Sequence, residues 1–216
     1  MKSGIVLVVG VVLIISGQAT AAPIYSTLGP GDSYNAWSAY DIGRPGYEWD
    51  RGEQFTFGGP CYTLDSVEIV LKQAYIDCVP VGLNKIDVSL MTDVGGKPGT
   101  VIEEWTFVKE LTMDPRILVG GSTLHPVLTP GTPYWLVASV PDMYAWADWL
   151  KSSPAVMGTH VRRLGSGNWE VYSNITQGAF RINGTPIVPP VPAPGAVILG
   201  GIGAGLLGCL RRRRML

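Results

Sequence analysis

Histidine and cysteine are scarce in this 216-residue chain, with two of the first and three of the second. A structural zinc site takes four such ligands at close spacing. His125 and His160 do not combine with the cysteines into that pattern, so no metal and no cofactor is expected. Motifs of local catalytic machinery are also missing: there is no G-x-S-x-G, no H-E-x-x-H and no P-loop. Glu103 and Glu104 are neighbours on a predicted strand and point to opposite faces, so by themselves they cannot form the facing pair of a glycosidase. A solvated role is expected for them, while a triad of distant partners stays open. Positive charge is short once the ends are set aside. Lys2, Arg211, Arg212, Arg213 and Arg214 hold five of the 16 cationic side chains, leaving 11 in the body against 17 acids, a net charge of −6. Nucleic-acid binding asks for a basic footprint, so nucleic acid is not an expected partner.

What is present lies first at the two ends. Met1-Lys2 forms a positive n-region and residues 4–15 an apolar h-region. Ala19 and Ala21 satisfy the small-x-small rule, which makes Ala22 the first mature residue and residues 1–21 a signal peptide. Sec-type export machinery and signal peptidase are the implied partners. At the other end residues 187–194 are a proline-rich spacer, residues 195–210 carry no charge, and residues 211–216 begin with four arginines. A bilayer core needs about 20 helical residues, with a lower limit near 17. The uncharged run reaches that limit if it is counted from Ala193. The arginines would hold the tail end on the cytoplasmic side and place the body outside.

Val191, Pro192, Ala193 and Pro194, followed by this glycine-rich apolar run and by Arg211, Arg212, Arg213 and Arg214, resemble the PEP-CTERM protein-sorting signal. Ala193 stands where that family usually has glutamate. The resemblance implies recognition and cleavage by an exosortase, after transient anchoring in the inner membrane, with final residence at the cell surface or outside the cell. An ordinary C-terminal anchor is the alternative.

The body, long enough for one domain, is punctuated by Gly and Pro. Val67, Ile69 and Leu71 alternate with Ser66 and Glu68. Ile86, Val88 and Leu90 alternate with Lys85, Asp87 and Ser89, and Tyr134, Leu136 and Ala138 with Trp135 and Val137. Further short strands are expected at 54–57, 101–108, 117–119, 168–172 and 179–182. Strands at this spacing, with no helix of ordinary length required, predict an all-β fold, an antiparallel jelly-roll-like β-sandwich over residues 51–186. Residues 22–50 read as an extended lead-in. Cys209 falls in the C-terminal helix, which leaves Cys61 and Cys78 as a disulfide candidate around a loop containing a strand. Such a closure is worth roughly 3 kcal/mol.

Residues 86–93, 95–100 and 104–107, with Leu-Thr-Pro-Gly-Thr-Pro-Tyr-Trp-Leu-Val-Ala at 128–138 and Ala-Phe-Arg-Ile-Asn-Gly at 179–184, look like the choice-of-anchor R type of bacterial surface domain. That resemblance covers about residues 55–184. It implies an exported domain joined to one of several C-terminal anchors, and no activity. Trp146, Trp149 and Trp169 are candidate stacking surfaces for sugars, with Asp148 as a hydroxyl partner; core or edge packing is their other reading. The expectation is a non-enzymatic surface or extracellular-matrix protein that interacts with polysaccharide. The alternative is a secreted polysaccharide-active hydrolase whose site is assembled from dispersed residues.

Overall fold

A computed structural model describes residues 21–43, 47–74, 85–108, 111–141 and 145–187. Ala19, Cys78 and the whole sorting tail from Val191 to Arg214 lie outside the described residues. The strands in chain order are β1 (Ala22–Ser26), β2 (Tyr34–Ile42), β3 (Trp49–Phe55), β4 (Tyr62–Gln73), β5 (Lys85–Asp93), β6 (Pro98–Val108), β7 (Arg116–Gly121), β8 (Val127–Leu128), β9 (Tyr134–Ser139), β10 (Ala147–Ser152), β11 (Met157–Leu164), β12 (Glu170–Thr176) and β13 (Phe180–Pro186). The one helical element among the described residues is a 3-10 turn at Pro30–Asp32. No helix among them is long and apolar enough to cross a membrane.

The strands form two sheets, every pairing antiparallel, that pack as an all-β sandwich. One sheet runs β1-β13-β4-β10-β2, with β7 and β8 on the free edge of β4. The other runs β12-β11-β3-β9-β5-β6. Period-2 alternation decides which side chains meet between them. From the first sheet come Leu64, Val67, Ile69, Leu71, Trp149, Phe180 and Ile182. From the second come Phe55, Ile86, Val88, Leu90, Phe107, Leu136 and Ala138. Fully burying one such side chain contributes about 1.5–3 kcal/mol. The expected parity of β4, β5 and β9 is the observed one.

The sandwich starts earlier than the sequence suggests. Residues 22–50, expected as a lead-in, contain β1, β2 and the start of β3. β1 pairs with β13, Ala22 opposite Gly184, and β2 closes the far edge beside β10. In β2, Ala39 opposes Leu150 and Asn35 opposes the next residue, Lys151, so residues 36–38 bulge outward and Trp37 is 98% exposed.

One side chain, Glu103, is placed differently from its sequence reading, while Trp135 is buried as a strand tryptophan is expected to be. Trp135 belongs to a second apolar cluster with Val137 and Val161 on the other face of its sheet, because β9 is central and buried on both faces. Its Nε1 donates to Asp93, whose carboxylate also accepts from Gln54 Nε2 and the Gly96 amide. Glu103 is buried rather than solvated: its carboxylate accepts from Ser122 Oγ at 2.7 Å and from the amides of Thr123 and Leu124 at 2.6 and 3.1 Å. Glu104 turns to the opposite face and bonds Ser89. Cys61 is half-buried just before β4, and its expected partner Cys78 lies outside the described residues.

Candidate functional site

The inward face of β3 changes character along its length. Phe55 is core, Glu53 follows, then Arg51, then Trp49 at the rim. β11 matches this gradient, with His160 opposite Glu53 and Arg162 opposite Arg51. Polar inward residues on these two adjacent strands leave Trp49, Arg51 and Arg162 half-buried along a lateral mouth, where β11 and β12 of one sheet meet β2 of the other through Tyr40.

At the base of this mouth Glu53 and His160 are sealed, with side chains 0% and 2% exposed. Glu53 Oε1 lies 2.9 Å from His160 Nδ1 and accepts the Gly178 amide at 2.8 Å. Gly178 is required here, since a Cβ would stand 2.6 Å from the Trp149 indole. Burial drives the Glu53 carboxyl well above its ordinary value, against the Gly178 amide, Lys151 and Arg51. Burial also pushes His160 down to about 3, helped by Arg51, Lys151 and Arg162. Tyr40 of β2 stacks on the His160 ring at 4.2 Å and donates its hydroxyl to the Thr176 carbonyl at 2.5 Å. Tyr25, raised to about 12 by burial and by Glu53, donates to Gln177.

Above the pair, cations and rings alternate across the mouth. Lys151 Nζ lies 4.3 Å from the Tyr40 ring, Arg51 lies over both Tyr40 and Trp49, and Arg162 lies over both Trp49 and Tyr172. Each contact is a cation–π attraction of about 0.5–2 kcal/mol. Arg162 and the Tyr172 hydroxyl both bond Glu170.

A second concavity lies at the end of β3, β9 and β11 on the outward face. It is an open cleft of about 330 Å³ lined by Glu48, Asp50, Ser139, Val140, Arg163, Gly165 and Ser166. Arg163 Nε donates to Asp50 at 2.6 Å, and its guanidinium sits 4.4 Å from the Trp169 ring centroid. Burial raises the Asp50 carboxyl, with Arg163 acting against it.

The structure does not gather the four sequence-predicted sugar contacts into one site. Trp149 is a core residue with no exposed surface; it packs edge-on against Phe180 and donates to the Ala179 carbonyl at 3.1 Å, so it offers no ring face to a ligand. Asp148 lies opposite Asp41 on β2 and pairs with Lys72 at 3.4 Å. Trp146 is half-buried just before β10. Trp169 is half-buried, packs against the cluster of Trp135, Val137 and Val161, and carries the guanidinium of Arg163, which lines the outward cleft. Sequence reasoning missed Trp49, Arg51, Glu53 and Arg162, which the structure groups with Tyr172. The signal was available as the parity of Phe55 carried back through Glu53 and Arg51 to Trp49.

No protein-family model matches the chain, and no curated protein matches it. The likeness to the PEP-CTERM signal and to choice-of-anchor R domains therefore rests on the residues quoted for it.

Proposed function

We propose that this chain is an exported, non-enzymatic bacterial surface or extracellular-matrix protein whose jelly-roll-like sandwich interacts with polysaccharide. Sec-type machinery and signal peptidase handle residues 1–21. The uncharged apolar run at 195–210 anchors the chain transiently in the inner membrane, and an exosortase-type protease processes it at Val191, Pro192, Ala193 and Pro194. The observation that carries this reading is where the fold stops. The compact unit spans Thr20–Ile187, with its first strand beginning at Ala22 and its last ending at Pro186. Both processing points flank the sandwich and neither cuts a strand.

The outward cleft supports the carbohydrate part. Asp50, Glu48, Ser139 and Ser166 offer hydroxyl partners there. Arg163 opposes a metal cation and the two acids oppose an anion, which leaves a neutral polyol as the suited guest. The acid–base pair assembled from dispersed residues, Glu53 and His160, is sealed from solvent, and this weighs against hydrolysis.

The test is the intact mass of the protein from its native host beside a host lacking the sorting protease. Processing predicts a species running from about Ala22 to about Pro194 in the first host only. A mass retaining residues 195–216 in both would reduce the tail to a plain anchor. Retarded migration in a neutral-glycan gel, without release of sugar, tests the sandwich.

A further inference from the structure

The lateral mouth holds more positive charge than its own acids answer. Arg51 and Arg162 are direct cross-strand partners, and like charges placed so destabilise a sheet. Lys151 joins them from β10 through Tyr40. Glu170 is the one carboxylate among the described residues in an ion pair with this trio, through Arg162. Asp41 gives Arg51 its backbone carbonyl at 2.9 Å.

The two guanidinium groups are held by aromatic rings, Arg51 by Tyr40 and Trp49 and Arg162 by Trp49 and Tyr172, with each Cζ 4.9–5.8 Å from the ring centroids. Each commits its Nε internally, Arg51 to Asp41 and Arg162 to Glu170. The terminal amino groups make no hydrogen bond among the described residues. Below them Glu53 Oε2 and His160 Nε2 are buried polar atoms without a partner. A bare buried polar atom costs about 1–3 kcal/mol, and the floor beneath the cations is polar but closed to solvent. Three positive charges outnumber Glu170 and Asp41, the acids that act on the two arginines, and the surplus repels metal cations. Sugar rings cannot stack where the aromatic faces already carry cations.

We propose that this mouth is an oxyanion-binding site, in which Arg51 and Arg162 donate edge-on to a carboxylate or sulfate and Lys151 supplies a third charge. Paired guanidinium edges match two-oxygen acceptors, and charge-assisted bonds of this kind are about twice as strong as neutral ones. The oxyanion is either free or carried on an acidic polysaccharide. The site is separate from the outward cleft and does not depend on it.

The experiment is isothermal titration of the full chain in detergent, at ionic strength fixed with sodium chloride. Sodium sulfate and a galacturonate trimer are the two ligands, with a neutral glucose trimer as control. Saturable binding of sulfate or of the acidic trimer is expected, weakened about tenfold or more in Arg162→Gln and in Lys151→Gln. Both altered residues are half-exposed, and circular dichroism verifies that each variant is folded. Binding of sulfate and trimer with equal strength assigns the site to a free anion. A trimer bound about tenfold tighter assigns it to a polysaccharide. No binding of either anion, or binding unchanged in both folded variants, overturns the proposal. Neutral-trimer binding that persists in both variants leaves the outward-cleft reading standing on its own.

Discussion

Glu53 and His160 face each other from adjacent strands, and in the folded chain the pair keeps one proton where the free groups would exchange two. Burial lifts the carboxyl well above 4.5 and lowers the imidazole from 6.5 to about 3. Between about pH 4.5 and 6.5 the unfolded pair also holds one proton, on the histidine, so the contribution to stability is flat there. Below 4.5 the unfolded chain takes up a second proton, which the folded pair accepts only near pH 3. Above 6.5 the unfolded chain has lost its proton, and folded Glu53 keeps one until pH passes its raised folded value. Stability falls on both sides. In Glu53→Gln the acidic fall begins near pH 6.5 and the alkaline fall disappears. Relative to that variant the wild type loses about 1.4 kcal/mol per pH unit from about pH 4.5 until pH passes the raised folded value of Glu53. Urea unfolding of both chains across pH 4 to 9 measures this, and a difference constant with pH would falsify the account.

Gly178 admits no side chain. Its added methyl would meet the buried Trp149 indole at 2.6 Å, and the residue also holds Glu53 through its amide. Gly178→Ala is expected to cost about 1–3 kcal/mol through overpacking. A melting temperature equal to that of the wild type would show that the sheet yields at this point.

Glu103 ties the loop after β7 to the sandwich. Burial works against its charge, but donors from Ser122, Thr123 and Leu124 outweigh burial and hold the carboxyl below its usual range. Its stabilisation is therefore present above pH 4.5 and lost as pH falls through the folded value. Glu103→Gln is expected to lose about 1–3 kcal/mol at pH 7 and nothing at strongly acid pH. Denaturant midpoints at the two pH values check this; equal losses at both would contradict it.

Trp37 is the reverse case of Trp149. It stands almost wholly in solvent on the β2 bulge, while Trp149 and Trp135 are fully buried. Trp37→Ser is expected to change stability by about 0.5 kcal/mol or less. It should also remove much of the tryptophan emission that acrylamide quenches. Unaltered quenching would mean that Trp37 is covered in solution.

Strands with apolar inward residues were legible in the sequence, and strands that build the mouth were not, for one physical reason. In β4 the run Val67, Ile69, Leu71 announces its period through hydrophobicity. In β11 the inward positions are His160 and Arg162, and in early β3 they are Trp49, Arg51 and Glu53, so alternation was present without its usual apolar label. β2 was hidden twice, by its polar composition and by residues 36–38, which shift its period midway. The tryptophans separate in the same way. Residue type alone does not distinguish Trp149, turned into the core, from Trp169, set against Arg163 of the outward cleft. Trp37, the most exposed ring, gave no signal because only strand geometry places it on a bulge.

The pairing of β1 with β13 sets how the domain can be hung. Ala22 and Gly184 are opposed residues on neighbouring strands, and opposed α-carbons in such pairs lie about 5 Å apart. The two ends of the sandwich therefore leave from one corner. An anchor at either end suspends the domain from the same point, so exchanging an N-terminal tether for a C-terminal one leaves its presentation to the surroundings unchanged. A short linker across that corner would also close the chain into a ring without disturbing either sheet.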